Sequence, residues 1–159
     1  MDNIDVAKLL LETLGMPPKQ QTPIACLTLL AMANISSDSM WYNATNQWVR
    51  IHDIILFLRK GYRVTYAENS RETFRKQVMH PFRTGALIED NGKATNSPNY
   101  RYRITEEFLK VIRSIDRNNT TQSLENSITR DFLSSRQTLS QIYASKKKMR
   151  MMPVRINNG

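Results

Sequence analysis

Residues 69–85 read NSRETFRKQVMHPFRTG, and the phase of this stretch decides the fold. At about 100° per residue, Phe74, Val78 and Phe82 fall on one side of a helix. Glu72, Thr73, Lys76, His80 and Arg83 fall opposite, with Arg75 and Gln77 on the flanks. Asn69 and Ser70 mark the start, and Glu72 three residues after Asn69 fits a capping box. Gly85 supplies the stop. Pro81 lies inside the pattern and is expected to kink or loosen the last turn. An apolar stripe backed by Arg, Lys, Gln and His predicts a helix that packs on one face and offers the other to a polar partner.

Upstream, residues 3–14 predict a first helix, with Ile4, Ala7, Leu10, Leu11 and Leu14 on one stripe and Gly15 and Pro17-Pro18 stopping it. Thr22 then caps a second helix with Pro23 at its first position. That helix is apolar nearly all round to Ala33, which makes it a core helix and makes Cys26 and Met32 packing residues. Residues 34–49 are polar and read as loop, anchored by Trp41 and Trp48. A third helix follows over 50–60, closed by Gly61, with His52 as a surface or half-buried histidine near its start.

Downstream, an apolar segment 86–88, the turn signal Asn91-Gly92, a polar tip (KATNSPN) and the alternating strand Tyr100–Ile104 predict a two-stranded hairpin. Thr105 caps a fifth helix that turns Phe108, Leu109, Ile112 and Ile115 inward. DRNNTTQ, 116–122, reads as a linker. Beyond it Leu124, Ile128, Phe132, Leu139, Ile142 and Tyr143 mark two further helices, followed by the basic run 146–150 and an extended tail, MMPVRINNG. Three helices, a hairpin and a helix is the order of a winged helix-turn-helix. The expected fold is therefore mainly α with a small β-hairpin: a winged helix-turn-helix domain over 1–116 and a C-terminal helical extension, the connector, over 117–159.

Composition narrows the function. Of 159 residues 40% are apolar and 23% charged, a globular balance. One cysteine excludes a disulfide framework or a Cys-cluster zinc site, and two histidines exclude a His-rich metal centre. The longest apolar run, 24–33, is half of the roughly 20 residues that span a membrane, and the acidic start MDNIDV is no signal peptide. These features predict a soluble cytoplasmic protein with no membrane partner. Residues 1–49 hold two lysines against four acids, a net of −2, whereas 50–103 carry +6 and 104–159 carry +5, giving +9 overall. An acidic head on a basic body suits a polyanionic partner, although a generally basic surface would give the same totals.

Duplex DNA is the polyanion that the helix at 69–85 fits. In a winged helix-turn-helix the helix before the hairpin enters the major groove and the wing touches backbone or minor groove. Arg and Lys can donate to guanine O6/N7 and Gln can read adenine. Arg71 and the first amides suit a phosphate. The candidate DNA contacts are Asn69, Ser70, Arg71, Thr73, Arg75, Lys76, Gln77, His80 and Arg83 on the helix. On the wing they are Lys93, Asn96, Ser97, Arg101 and Arg103, interleaved with tyrosines. A solvated surface helix and an edge strand kept polar would look alike at this level. Catalysis is not expected of this chain: no acid has Lys two positions on, as a Glu-x-Lys nuclease motif needs. Nor is there a phosphate loop or nucleophile elbow, so no catalytic or metal residue is assigned. His80 with Glu72 as an acid–base pair is the weaker reading of that helix.

The stretch 69–82 resembles the signature helix of BsuBI/PstI-type type II restriction endonucleases, with its Asn-x-Arg-Glu-Thr opening, Arg75-Lys76, Gln77, His80 and Phe82. Thr95-Asn96-Ser97-Pro98 with Tyr102 and Ile104, LLLETLGMPPKQQ at 9–21 and TLSQIYASKKKMRMMPV at 138–154 are similar as well, so the resemblance runs along nearly the whole chain. Pro81 and Arg83 depart from the family pattern. The resemblance implies a sequence-recognition domain feeding a C-terminal nuclease domain of PD-(D/E)XK type that this chain does not contain. It implies magnesium for that absent domain and no cofactor in this chain. It also implies a homodimer in the parent enzyme, a site-specific deoxyribonuclease, and a cognate DNA methyltransferase as its genetic partner. Two other readings of the residues stay open: a stand-alone winged-helix transcription regulator that dimerises through its last helices, and a helical protein-interaction module.

Overall fold

The computed structural model describes residues 1–93 and 97–151. The expected DNA contact Asn96, its neighbour Thr95 and the tail from Met152 onward lie outside the described residues. Helices α1 (Asn3–Thr13) and α2 (Pro23–Met32) pack on each other, and α2 is buried on every side, as its unbroken apolar run requires. Burial pushes the Cys26 thiol up to about 11, so it stays protonated as a packing group. Trp41 is buried and its indole donates to Asn3 Oδ1 at 3.0 Å. Asn3 in turn donates to the Ser36 carbonyl and accepts from Arg117, tying the chain's start to the segment after the hairpin.

Helix α3 (Ile51–Gly61) is preceded by Val49, which exchanges backbone hydrogen bonds with Tyr102 at 2.8 and 2.9 Å. The stretch read as loop thus ends in an isolated antiparallel bridge to the hairpin. Helix α4 is continuous through three segments: Arg71–Phe74, a π turn at Arg75–Met79, and His80–Thr84. The π turn ends two residues before Pro81, whose ring would clash with the carbonyl four residues back in an α-helix. The expected loosening is this widened turn, not a break.

Two expected local features are replaced. No Asn69–Glu72 capping box forms: Ser70 is the cap residue without a side-chain bond to the helix, and Glu72 turns to Arg75. Half of a box forms instead at α3, where Asp53 accepts from the Arg50 amide at 2.8 Å while the Arg50 guanidinium, a donor only, returns no bond to the helix amides. At the end of α4, Gly85 has φ −81, and Ala86 takes the left-handed turn at φ +62. Residues 86 and 87 are then held by Thr105, which donates to the Ala86 carbonyl.

The hairpin pairs β1 (Ile88–Asp90) with β2 (Tyr102–Ile104), antiparallel, in the register Ile88↔Ile104, Glu89↔Arg103 and Asp90↔Tyr102. Strand β1 therefore takes in Glu89 and Asp90, where the apolar pattern ended at Ile88. Thr105 caps α5 (Glu106–Arg113) by accepting from the Phe108 amide. Residues 116–122 fold into a turn and the start of α6 (Thr120–Leu124), and the 25-residue α7 (Ser127–Met151) lies back across the domain. Its contacts are specific: Phe132 against Phe108 at 5.5 Å, Arg136 to the Leu14 carbonyl, Ser140 to the Thr84 carbonyl and Tyr143 to Glu107. Leu124, Phe132 and Tyr143 are buried, whereas Ile128 and Ile142 are exposed.

Candidate nucleic-acid interface

The start of α3, the start of α4 and the wing enclose a cleft of about 730 Å³. Arg50 and Ile51 form one wall, Asn69, Arg71, Glu72 and Arg75 a second, and Ser97, Pro98 and Tyr100 a third, over a floor of buried Tyr102. The sheet sets this geometry: pairing Val49 with Tyr102 brings Arg50 to the foot of the wing. Tyr100 packs edge-on against Tyr102 at 4.8 Å and gives the cleft an aromatic base.

Arginines in the cleft are held by exposed acids. Glu72 accepts from Arg75 Nε at 3.0 Å and Nη2 at 2.7 Å, and the Glu72 carboxyl is lowered first by that hydrogen bond. Asp53 grips Arg50 through Nε at 3.4 Å and Nη2 at 3.1 Å. Desolvation pushes the Asp53 carboxyl up, but the hydrogen bonds from Arg50 outweigh it and the net shift is downward. His52 Nδ1 lies 2.8 Å from Glu68 at the same edge.

Along α4, Thr73, Lys76, Gln77 and His80 project to solvent while Phe74, Val78, Met79 and Phe82 are buried. His80 Nδ1 lies 3.1 Å from Arg83 Nη2. Since guanidinium only donates, Nδ1 accepts and the proton of the neutral ring sits on Nε2. Desolvation first, then the positive charges of Arg83, Arg75 and Lys147, lower the imidazole's affinity for a proton, so His80 is neutral at pH 7.

The remaining expected contacts divide. Asn69, Arg71 and Lys93 are exposed; Ser70 is half-buried and donates to the Ala67 carbonyl. Ser97 accepts from the Asn99 amide, and Arg101 braces the wing tip through the Pro98 and Tyr100 carbonyls at 2.7 and 3.0 Å. Arg83 and Arg103 differ from the expectation of an outward face. Arg83 binds Asp90 at 2.6 Å and Arg103 binds Glu89 at 3.0 Å, both buried acids of β1. Arg103 also stacks over Trp48 at 4.7 Å. The π turn rotates the end of α4 relative to a regular helix, which brings Arg83 round to the sheet. Arg50, absent from the expected contacts, also lines the cleft, and its signal in the sequence was Asp53 three residues on, which accepts from its amide.

A family model described as the BsuBI/PstI restriction endonuclease HTH domain matches residues 1–141. The chain belongs to this family. The type II restriction enzyme BsuBI of Bacillus subtilis is 35% identical over 161 residues, covering 99% of this chain and 49% of that enzyme. The type II restriction enzyme AplI of Arthrospira platensis is 28% identical over 153 residues, covering 94% of this chain and 46% of that enzyme. Among solved structures, SdaI restriction endonuclease superposes with a TM-score of 0.73 at 26% identity, over 89% of this chain and 44% of that one. The chain spans about half the length of the curated relatives it matches. These relatives are restriction enzymes, which favours the helix-turn-helix domain of such an enzyme over the stand-alone regulator.

No helix among the described residues is long and apolar enough to cross a membrane. Among the same residues, no three of His, Cys, Asp and Glu stand together as a metal site requires.

Proposed function

We propose that this chain reads duplex DNA for a type II restriction endonuclease, with α4 in the major groove and the wing on the backbone. The parent enzyme would cut DNA in the cytoplasm with a magnesium-dependent nuclease domain, as a homodimer, alongside a cognate methyltransferase. Residues 1–116 would recognise DNA and 117–159 would lead to the nuclease domain. The observation that carries the reading is the outward row Thr73, Lys76, Gln77 and His80 on α4, set beside a cleft lined by Arg50, Arg71 and Arg75. Donors that suit base edges stand on the helix, and cations that suit phosphates flank it.

The test begins by selecting a preferred site from a pool of randomised duplexes with the purified chain. Lys76→Ala or Gln77→Ala should then cost about 1–3 kcal/mol on the selected site and much less on random DNA. Lys93→Ala should weaken both by similar factors. Equal losses on selected and random DNA for Lys76→Ala and Gln77→Ala would remove α4 from the base-reading role.

A further inference from the structure

Arg50 follows the Val49–Tyr102 bridge and lines the cleft, and its surroundings say more than its charge. Its guanidinium presents the Nε and Nη2 edge to Asp53, and Arg75 presents the same edge to Glu72. That edge is the one with which arginine grips a phosphate in two parallel hydrogen bonds. Both pairs line or border the same cleft, both are three residues apart in sequence, and all four side chains reach solvent. Pairs of this exposure contribute little to stability, so an incoming anion can replace the carboxylate at small cost. Arg71 completes a set of three arginines that line the cleft together with Ser97 of the wing.

We infer that Arg50 is a DNA-backbone contact in this cleft, and that Asp53 and Glu72 occupy the phosphate-binding edges of Arg50 and Arg75 until DNA displaces them. The inference rests on the DNA-recognition reading above and adds a regulation to it. Carboxylates that compete with phosphate lower affinity for any duplex. Binding therefore depends on the base contacts of α4 more than it would with bare arginines, which makes the two acids specificity-determining residues.

Fluorescence anisotropy on a random-sequence duplex, titrated with salt, tests this on the whole chain. Arg50→Ala should weaken binding about fivefold and reduce the magnitude of the salt slope by about one unit. Asp53→Asn and Glu72→Gln should tighten binding about two- to fivefold, and Arg59→Ala at the other end of α3 should change nothing. An Arg50→Ala chain that binds with wild-type affinity and slope overturns the inference while leaving the DNA-recognition reading intact. Weaker binding by Asp53→Asn, in parallel with Arg50→Ala, also overturns it, because the pair would then act only as the helix cap. Thermal melts of each variant keep loss of fold apart from loss of contact. Wild-type chain that shows no salt-dependent binding defeats both readings together.

Discussion

In the cleft, Arg50 and Arg75 rest on carboxylates that are themselves in solvent; at the seam between β1 and α7, Arg83 and Arg103 rest on carboxylates that are not. Asp90 has no exposed side-chain surface and is held by Arg83 at 2.6 Å, Lys147 at 3.0 Å and the Gly92 amide at 2.8 Å. Glu89 is buried under Arg103. The same ion-pair chemistry has different consequences because desolvation differs. An exposed acid can rehydrate when its arginine leaves for a phosphate, whereas a buried acid deprived of its cation is an uncompensated charge. On the proposed reading the cations of the cleft are available to DNA, and those of the seam hold α4, the wing and α7 together.

Removing an acid on each side breaks or sharpens this contrast most strongly. Asp90→Ala should lower unfolding stability by about 3 kcal/mol in urea denaturation, toward the low end for a broken buried pair because Arg83 and Lys147 can still reach water. Glu72→Gln should leave the urea midpoint unchanged. Similar losses for the two would erase the distinction between cleft and seam.

A smaller effect appears with acid. Desolvation raises the Asp90 carboxyl, but the Lys147, Gly92 and Arg83 hydrogen bonds together bring it below its ordinary value. A folded-state value below the unfolded one gives stability that is complete above about pH 4 and is lost as pH falls through the lowered value. Wild-type stability should decline over that acid range, and the decline should be shallower in Asp90→Asn. An equally steep decline in that variant would assign the acid sensitivity elsewhere.

Much of this arrangement was legible in sequence because it depends on local pattern. Phe74, Val78 and Phe82 fixed the phase of α4, the unbroken apolar run fixed α2 as core, and Thr105 announced α5. What escaped depends on contacts between distant segments. Glu89 and Asp90 look like turn-flanking polar residues until Arg103 and Lys147 arrive to neutralise them, and only then can β1 extend to Asp90. Val49 ends a polar loop and becomes a bridge partner only when Tyr102 lies beside it. The π turn before Pro81 moved Arg83 inward and Met79 into the core, where a regular helical wheel has no means to place them. Ala86 took the left-handed turn that Gly85 invited, held there by Thr105. Of the expected interface, the outward row on α4 follows from phase and the fates of Arg83 and Arg103 follow from folding, as does the place of Arg50, which lay outside the expectation.

The most direct test of the central claim is the salt dependence of duplex binding by the wild-type chain and two arginine variants. With about six phosphates neutralised, log K should fall against log salt with a slope of roughly −5. Arg71→Ala, in the cleft, should bring the slope to about −4, while Arg103→Gln, at the seam, should leave it unchanged in the folded fraction. A flat salt dependence of the wild-type chain, or an equal change of slope in the two variants, would contradict the account.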